Sequence, residues 1–281
     1  MRTLRELLQQ GTKLLRRVAA PAIEAKVLLL NVTGLSEVEF LSSPEKLVRR
    51  TDETRYLRLI GKRLSGVPLA FLVGRKEFWS LTLRVPRGVF IPRPETELLV
   101  EKTLALVASA KVTIVDIGTG SGNIALALAA ELPKARIIAT DISVRALSAA
   151  RLNAQDLGLK NTIFARGNLF SALDGLRLKR QCDFIVCNPP YVSTSDWESL
   201  PGEIRNHEPR RAFLGGKTGL DFIRRLVHGA PVFLKPGGYL LFEVGYDQAE
   251  TAVSSLGPGW TEVTSFPDLR GIKRAITARR V

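Results

Sequence analysis

One local pattern limits the fold of this chain more than any other: a hydrophobic run that passes straight into a glycine turn and then into a helical stretch. Val112-Thr113-Ile114-Val115-Asp116-Ile117 reads as a buried strand, Gly118-Thr119-Gly120-Ser121-Gly122 follows at once, and Ile124 to Leu132 reads as a helix. The glycines allow a tight turn and let backbone approach a ligand with no Cβ in the way, while the helix N-terminus offers unpaired N–H groups. A second apolar run, Arg136-Ile137-Ile138-Ala139-Thr140, ends in Asp141. That acid lies about 20 residues beyond the glycines, where a carboxylate can accept from ribose hydroxyls. A hydride-transfer enzyme would show the same spacing, so this unit alone leaves the chemistry open.

The rest of the chain extends the pattern. From about Pro94 onward strand and helix alternate: strand 112–117, helix 122–132, strand 136–140, helix 143–157, strands 161–165 and 182–187, helix 218–229, strand 238–244, and a closing pair near 259–266 and 273–279. Such alternation implies a mainly parallel sheet covered on both faces. Upstream, residues 3–64 read as helices. Leu4, Leu7, Leu8, Leu14, Leu15 and Val18 share a face, and Pro21 opens a helix carrying Ile23, Val27 and Leu30. Ser36-Glu37-Val38-Glu39 has capping-box spacing, Ser43-Pro44 reads as the start of another helix, and a last helix spans about Asp52 to Leu64. Between the two regions Glu77 to Val85 alternates as short strands. The expected division is a helical bundle at 1–75, a β-hairpin connector at 76–92 and an α/β domain at 93–281.

Chemistry is written most clearly at the end of the strand Phe184-Ile185-Val186-Cys187, where Asn188-Pro189-Pro190-Tyr191 follows. An Asn side-chain oxygen beside a proline carbonyl places two acceptors together, and proline has no N–H to compete. This makes a socket for an NH2 group, and Tyr191 adds a flat face for a planar amide or base. The plain alternative is a strand ended by common turn residues.

Composition narrows the classes. No apolar run is long enough to span a membrane, and Met1-Arg2-Thr3-Leu4-Arg5-Glu6 lacks the apolar core of a signal peptide, so a cytoplasmic location is expected. Two cysteines, Cys182 and Cys187, share one strand and read as free thiols, and two histidines are little material for a metal centre; no metal is expected. The formal charge is +14, and the first 77 residues hold 15 basic and 8 acidic side chains, so the excess is spread along the chain. Such a charge draws polyanions or acidic protein surfaces, and direct nucleic-acid binding is compatible with it.

Taken together, these motifs resemble the PrmC/HemK family, the N5-glutamine methyltransferases of peptide chain release factors. Beyond the glycine turn and Asn188–Tyr191, the resemblance rests on Pro68–Gly74, Glu77-Phe78-Trp79, Ile91-Pro92-Arg93-Pro94-Glu95-Thr96-Glu97, Glu208-Pro209, Gly216–Asp221 and Gly237–Glu243. It implies an α/β fold, a SAM-dependent methyltransferase (Rossmann-like) catalytic domain behind an N-terminal helical bundle that grips the release factor. It also implies S-adenosylmethionine (SAM) as cofactor and class-1 release factors as partners. Asn188, Pro189 and Tyr191 would then be catalytic. Gly118, Thr119, Gly120, Ser121, Gly122, Asp141, Asn168, Leu169 and Asn188 would hold the cofactor, and Asn188, Pro189, Pro190, Tyr191 and Glu208 the substrate. The family commonly carries an acid after the third strand, where this chain has Asn168. Arg93, Glu95 and Glu97 are read either as closing over cofactor or substrate, or as a charged helix start. Two other readings stand beside this one: an amino-methyltransferase acting on adenine N6, cytosine N4 or guanine N2, and a non-catalytic SAM-binding scaffold.

Overall fold

The computed structural model describes residues 1–281, which form two units, Met1–Arg75 with Gly202–His207, and Lys76–Pro201 with Glu208–Val281. The first holds α1 (Leu4–Leu14), α2 (Pro21–Thr33), α3 (Glu37–Ser42), α4 (Arg50–Leu64) and α5 (Leu69–Val73). Reciprocal capping boxes start α1 (Thr3 with Glu6) and α3 (Ser36 with Glu39), satisfying backbone N–H groups that a helix start leaves open. Ser43-Pro44 does not open a helix. Pro44 and Lys46 instead give their carbonyls to the N–H groups of Arg5 and Leu4, so this segment is spent on the start of α1. The buried face of α2 is Ala25, Leu28, Leu29 and Val32, while the expected Ile23 is exposed, as is Leu14 of α1. Tyr56 of α4 packs so closely on Gly11 that a Cβ there would lie 1.8 Å from its hydroxyl. Arg63, 8% exposed, donates to Glu24, to the Val67 carbonyl at 3.3 Å and to Glu203 at 2.9 Å. Nothing in the sequence signals that Gly202–His207 joins this unit.

The second unit begins with the hairpin β1 (Arg75–Phe78) and β2 (Leu81–Arg84), followed by α6 (Glu97–Leu106), β3 (Thr113–Ile117), α7 (Asn123–Glu131), β4 (Arg136–Asp141), α8 (Val144–Asp156), β5 (Thr162–Arg166) and β6 (Cys182–Cys187). Beyond α9 (Gly202–His207), the short helix that carries Glu203 and belongs to the first unit, come α10 (Asp221–Gly229), β7 (Leu234–Glu243), α11 (Ala249–Ser254), β8 (Trp260–Pro267) and β9 (Lys273–Arg280). Trp79 and Ser80, both at positive φ (49° and 59°), make the tight turn of the hairpin. The Trp79 backbone N–H and Nε1 are held by Glu97 and Glu131 at 2.9 and 2.8 Å. Asn153 of α8 exchanges two hydrogen bonds with the Arg84 backbone.

Seven strands form one sheet in the order β5-β4-β3-β6-β7-β9-β8, parallel except for β9, which is antiparallel to both neighbours. Alternate residues of the central strands feed opposite cores. Val115, Ile138, Ile185 and Leu240 pack with Ile223 and Leu226 of α10, while Ile114, Ile137, Val186 and Leu241 pack with Leu99 of α6 and Leu126 of α7. Burial on both faces explains why these strands read as continuous apolar runs, and each such side chain contributes about 1.5–3 kcal/mol. β7 starts at Leu234, earlier than the hydrophobic run suggests, and its register with β6 shifts between Cys182 and Phe184. α10 starts only at Asp221, because Gly219 (φ 78°) turns where a Cβ would lie 2.3 Å from the Tyr191 carbonyl.

Register is what creates the functional edge. Ile117 pairs with Thr140 and with Cys187, and Cys187 pairs with Phe242. The next residues on these four strands, Gly118, Asp141, Asn188 and Glu243, therefore stand in one row at the carboxyl edge of the sheet, where open α/β sheets bind ligands.

Candidate active site

At the β3 end, two N–H groups, those of Gly118 and Thr119, converge on the Thr140 carbonyl at 2.9 and 2.8 Å. Gly118 and Gly120 take positive φ (77° and 58°), which folds the chain back into α7. Asp116 is fully buried, and one of its oxygens accepts from Thr119 Oγ1 at 2.6 Å and from the Ala125 N–H at 3.1 Å. Burial pushes its pKa up to about 7. Asp141 takes the Gly120 N–H on Oδ2 (2.9 Å) and the Ser143 N–H on Oδ1 (2.8 Å). Each of its oxygens keeps acceptor capacity to spare. Burial raises the Asp141 pKa, against the pull of those hydrogen bonds and of the Arg211 charge.

At the β6 and β7 ends a second constellation is joined through side chains. Asn188 Nδ2 donates to Thr96 Oγ1 at 2.9 Å, Thr96 Oγ1 donates to Glu243 Oε2 at 2.7 Å, and the Tyr191 hydroxyl donates to Glu243 Oε1 at 3.1 Å. Thr96 is wholly buried and Glu243 nearly so, and burial pushes the Glu243 pKa up to about 7. The Tyr191 hydroxyl is held above the usual phenol range, by burial first and the Glu243 charge second. The Tyr191 carbonyl accepts from Gln248 Nε2 at 2.8 Å, and the next residue, Val192, bridges to Leu214. Gly215 lets that segment close in, since a Cβ there would fall 2.5 Å from the Pro190 carbonyl.

One cleft connects the two ends. Its walls include Gly118, Gly120, Asp141, Asn168, Leu169, Asn188, Pro189, Pro190 and Tyr191, so nine of the residues singled out from sequence come together. Thr119, Ser121 and Gly122 do not line it. Thr119 and Ser121 are buried, the Thr119 hydroxyl is spent on Asp116, and Gly122 packs against Leu126 and Ala150. Glu208 is 6% exposed and does not line the cleft, and its two oxygens accept from the Ile91 N–H and from Arg93. It braces the Ile91–Arg93 segment. Arg93 is thereby drawn over the Phe90 ring, 5.0 Å from its centroid, and Glu97 is held by the Trp79 N–H. Sequence reading missed Thr96, Glu243, Phe90, Phe213 and Arg211 as neighbours of the site; the last three line the cleft. For Glu243 a signal exists, an acid ending the apolar run Tyr239-Leu240-Leu241-Phe242.

Residues 6–74 match the PrmC N-terminal domain, and residues 86–200 match the methyltransferase small domain. The chain is 40% identical to the release factor glutamine methyltransferase of Moorella thermoacetica over 99% of each chain, and 40% identical to that of Coxiella burnetii over 92% of each. It belongs to the release factor glutamine methyltransferase family. To the enzyme of the same name from Vibrio cholerae, identity is 39% over 97% of this chain and 95% of that one. Among solved structures, the catalytic domain of human Mettl16 superimposes with a TM-score of 0.55 at 18% identity, over 82% of each chain, a likeness of fold. As a member of this methyltransferase family the chain uses S-adenosylmethionine. No helix is long and apolar enough to cross a membrane.

Proposed function

We propose that this enzyme transfers a methyl group from S-adenosylmethionine to the side-chain amide nitrogen (N5) of the glutamine in the Gly-Gly-Gln motif of class-1 peptide chain release factors, supporting translation termination in the cytoplasm. The observation that carries this reading is the orientation of Asn188. Its NH2 is spent on Thr96, which leaves its Oδ1 as an acceptor in the same cleft as the glycine turn and Asp141.

The walls of the cleft fit S-adenosylmethionine. Asp141 has free acceptor capacity for ribose hydroxyls, and a Cβ added at Gly120 would meet nothing within 4 Å, so the backbone is bare on that side. Leu169, Asn168 and Phe90 supply apolar and polar edges for a base. When bound, this cofactor supplies a methyl already activated by a sulfonium, so a strong base is not required. The work left to the protein is orientation. Asn188 Oδ1 and the Pro189 carbonyl would take both N–H bonds of the glutamine amide and favour a pyramidal nitrogen whose lone pair faces the methyl. In that arrangement the nitrogen–carbon bond would form as the carbon–sulfur bond of the cofactor broke, and the extra proton would leave to water. Alignment of this kind supplies several kcal/mol, with an upper limit of about 7–11 kcal/mol. The helical unit at 1–75, where basic residues outnumber acidic ones, is proposed to grip the release factor.

The test is transfer of labelled methyl from S-adenosylmethionine to three acceptors: a class-1 release factor, the same factor with its Gly-Gly-Gln glutamine replaced, and DNA or RNA. Label is expected only in the intact factor. Label in nucleic acid instead would assign the NH2 socket to a base.

A further inference from the structure

The same row of residues carries a device that the amide socket depends on. Glu243, at the last position of β7, offers only acceptors in its carboxylate form, which prevails above about pH 7, and two hydroxyls reach it: Thr96 on Oε2 at 2.7 Å and Tyr191 on Oε1 at 3.1 Å. Both hydroxyls must therefore donate inward. A hydroxyl has one proton, so Thr96 Oγ1 has only lone pairs left for Asn188, 2.9 Å away. The amide of Asn188 then has a single satisfied orientation, with Nδ2 toward Thr96 and Oδ1 toward the cleft. The opposite orientation would set an oxygen against an oxygen and present NH2 to an incoming NH2.

We infer that Glu243 and Thr96 are positioning residues for methyl transfer: the carboxylate fixes the donor direction of the Thr96 hydroxyl, and through it the polarity of the Asn188 amide. The same carboxylate anchors the Tyr191 ring, so one buried acid orients two side chains of the Asn-Pro-Pro-Tyr turn. The relay is wholly side-chain built, and its middle member, Thr96, is buried completely. An ordinary structural threonine would need no hydroxyl partner on both sides; this one has a donor on one side and an acceptor on the other. The inference rests on the amide-socket reading of Asn188, and the experiment separates the two.

Four variants are compared by kcat and KM for methyl transfer to the release factor, with cofactor affinity by calorimetry and thermal unfolding in parallel. Thr96→Val keeps the shape and removes the hydroxyl; it should lower kcat by about tenfold or more, with cofactor affinity within about twofold. Thr96→Ser restores the hydroxyl and should return kcat to within about threefold of the parent. Glu243→Gln gives Thr96 and Tyr191 an NH2 in place of one acceptor and should also lower kcat about tenfold. Asn188→Ala is the control for the socket itself. A dead Asn188→Ala beside parental Thr96→Val and Glu243→Gln would overturn the relay and spare the socket, whereas an active Asn188→Ala would overturn the socket. Equal losses in Thr96→Val and Thr96→Ser would reduce Thr96 to packing and overturn the relay. Should Thr96→Val fail to fold, a parental kcat in Glu243→Gln overturns it as well.

Discussion

Two buried acids stand near the carboxyl ends of their strands and are held in opposite ways. Asp116, on β3, finds its partners within nine residues of chain, the Thr119 hydroxyl and the Ala125 N–H. Glu243, on β7, draws its partners from Thr96 and Tyr191, 147 and 52 residues away. Both have the pKa pushed up to about 7 by burial. Only the first constellation is local, and so a glycine turn can be read as a motif, whereas the second exists only once the sheet has set its register. Backbone geometry shapes one end of the cleft; side-chain hydrogen bonds shape the other. Loss of a side chain should therefore be felt more in turnover at the Asn188 end and more in cofactor affinity at the glycine end.

The largest effect is expected at Asn188. Asn188→Ala removes an acceptor that orients the reacting nitrogen, and turnover should fall by about 10²–10³-fold or to the assay floor. Cofactor affinity measured by calorimetry should stay within a few fold. Parental turnover would erase the contrast between the two ends.

A second expectation treats the two acids alike. Burial raises Asp116 from 3.8 and Glu243 from 4.5 to about 7, so over this interval the folded protein keeps protons that the unfolded chain has released. Their contribution to stability is greatest below about pH 4 and is lost as pH rises through about 7, by roughly 3–4 kcal/mol for each group. Urea unfolding at pH 5 and pH 8 should show a shallower loss in Asp116→Asn and in Glu243→Gln than in the parent. A variant that follows the parental slope would show that its acid titrates normally in the folded state.

The smallest effect belongs to Asp141→Asn. The amide keeps one acceptor and loses the charge, so affinity for S-adenosylmethionine should weaken by about tenfold, roughly 1–2 kcal/mol. Turnover at saturating cofactor should change far less. A loss confined to kcat would move Asp141 from the cofactor end to the substrate end of the comparison.

The division between local and distant partners also explains how much could be read beforehand. The alternating strands and helices, the glycine turn, Asp141 and Asn188–Tyr191 are legible because each depends on neighbours in sequence. Ser36 caps α3 as its spacing predicts, for the same reason. Ser43-Pro44 misleads because the carbonyls of Pro44 and of nearby Lys46 are claimed by Arg5 and Leu4, some forty residues earlier. Glu208 looks like a ligand residue beside a proline, yet its oxygens are claimed by Ile91 and Arg93 across more than a hundred residues. Thr96 sits inside Ile91–Glu97 and escapes notice because its value comes from Glu243. Asn168 lines the cleft, but its side chain is exposed, and its N–H goes to Ser171.

The clasp of Arg63 on Glu24 and Glu203 has a consequence for modularity. Because Gly202–His207 belongs to the helical unit, the polypeptide passes between units three times, near residues 75, 201 and 207. The helical unit is thus no bead threaded at one end of a string; it is sewn in by a late stitch. Cutting the chain after Arg75 would leave Arg63, which lies almost out of water, with half its acidic partners. An intact arrangement of this kind must be inherited as a whole, and shuffling the first 75 residues onto another catalytic body would leave their last stitch behind.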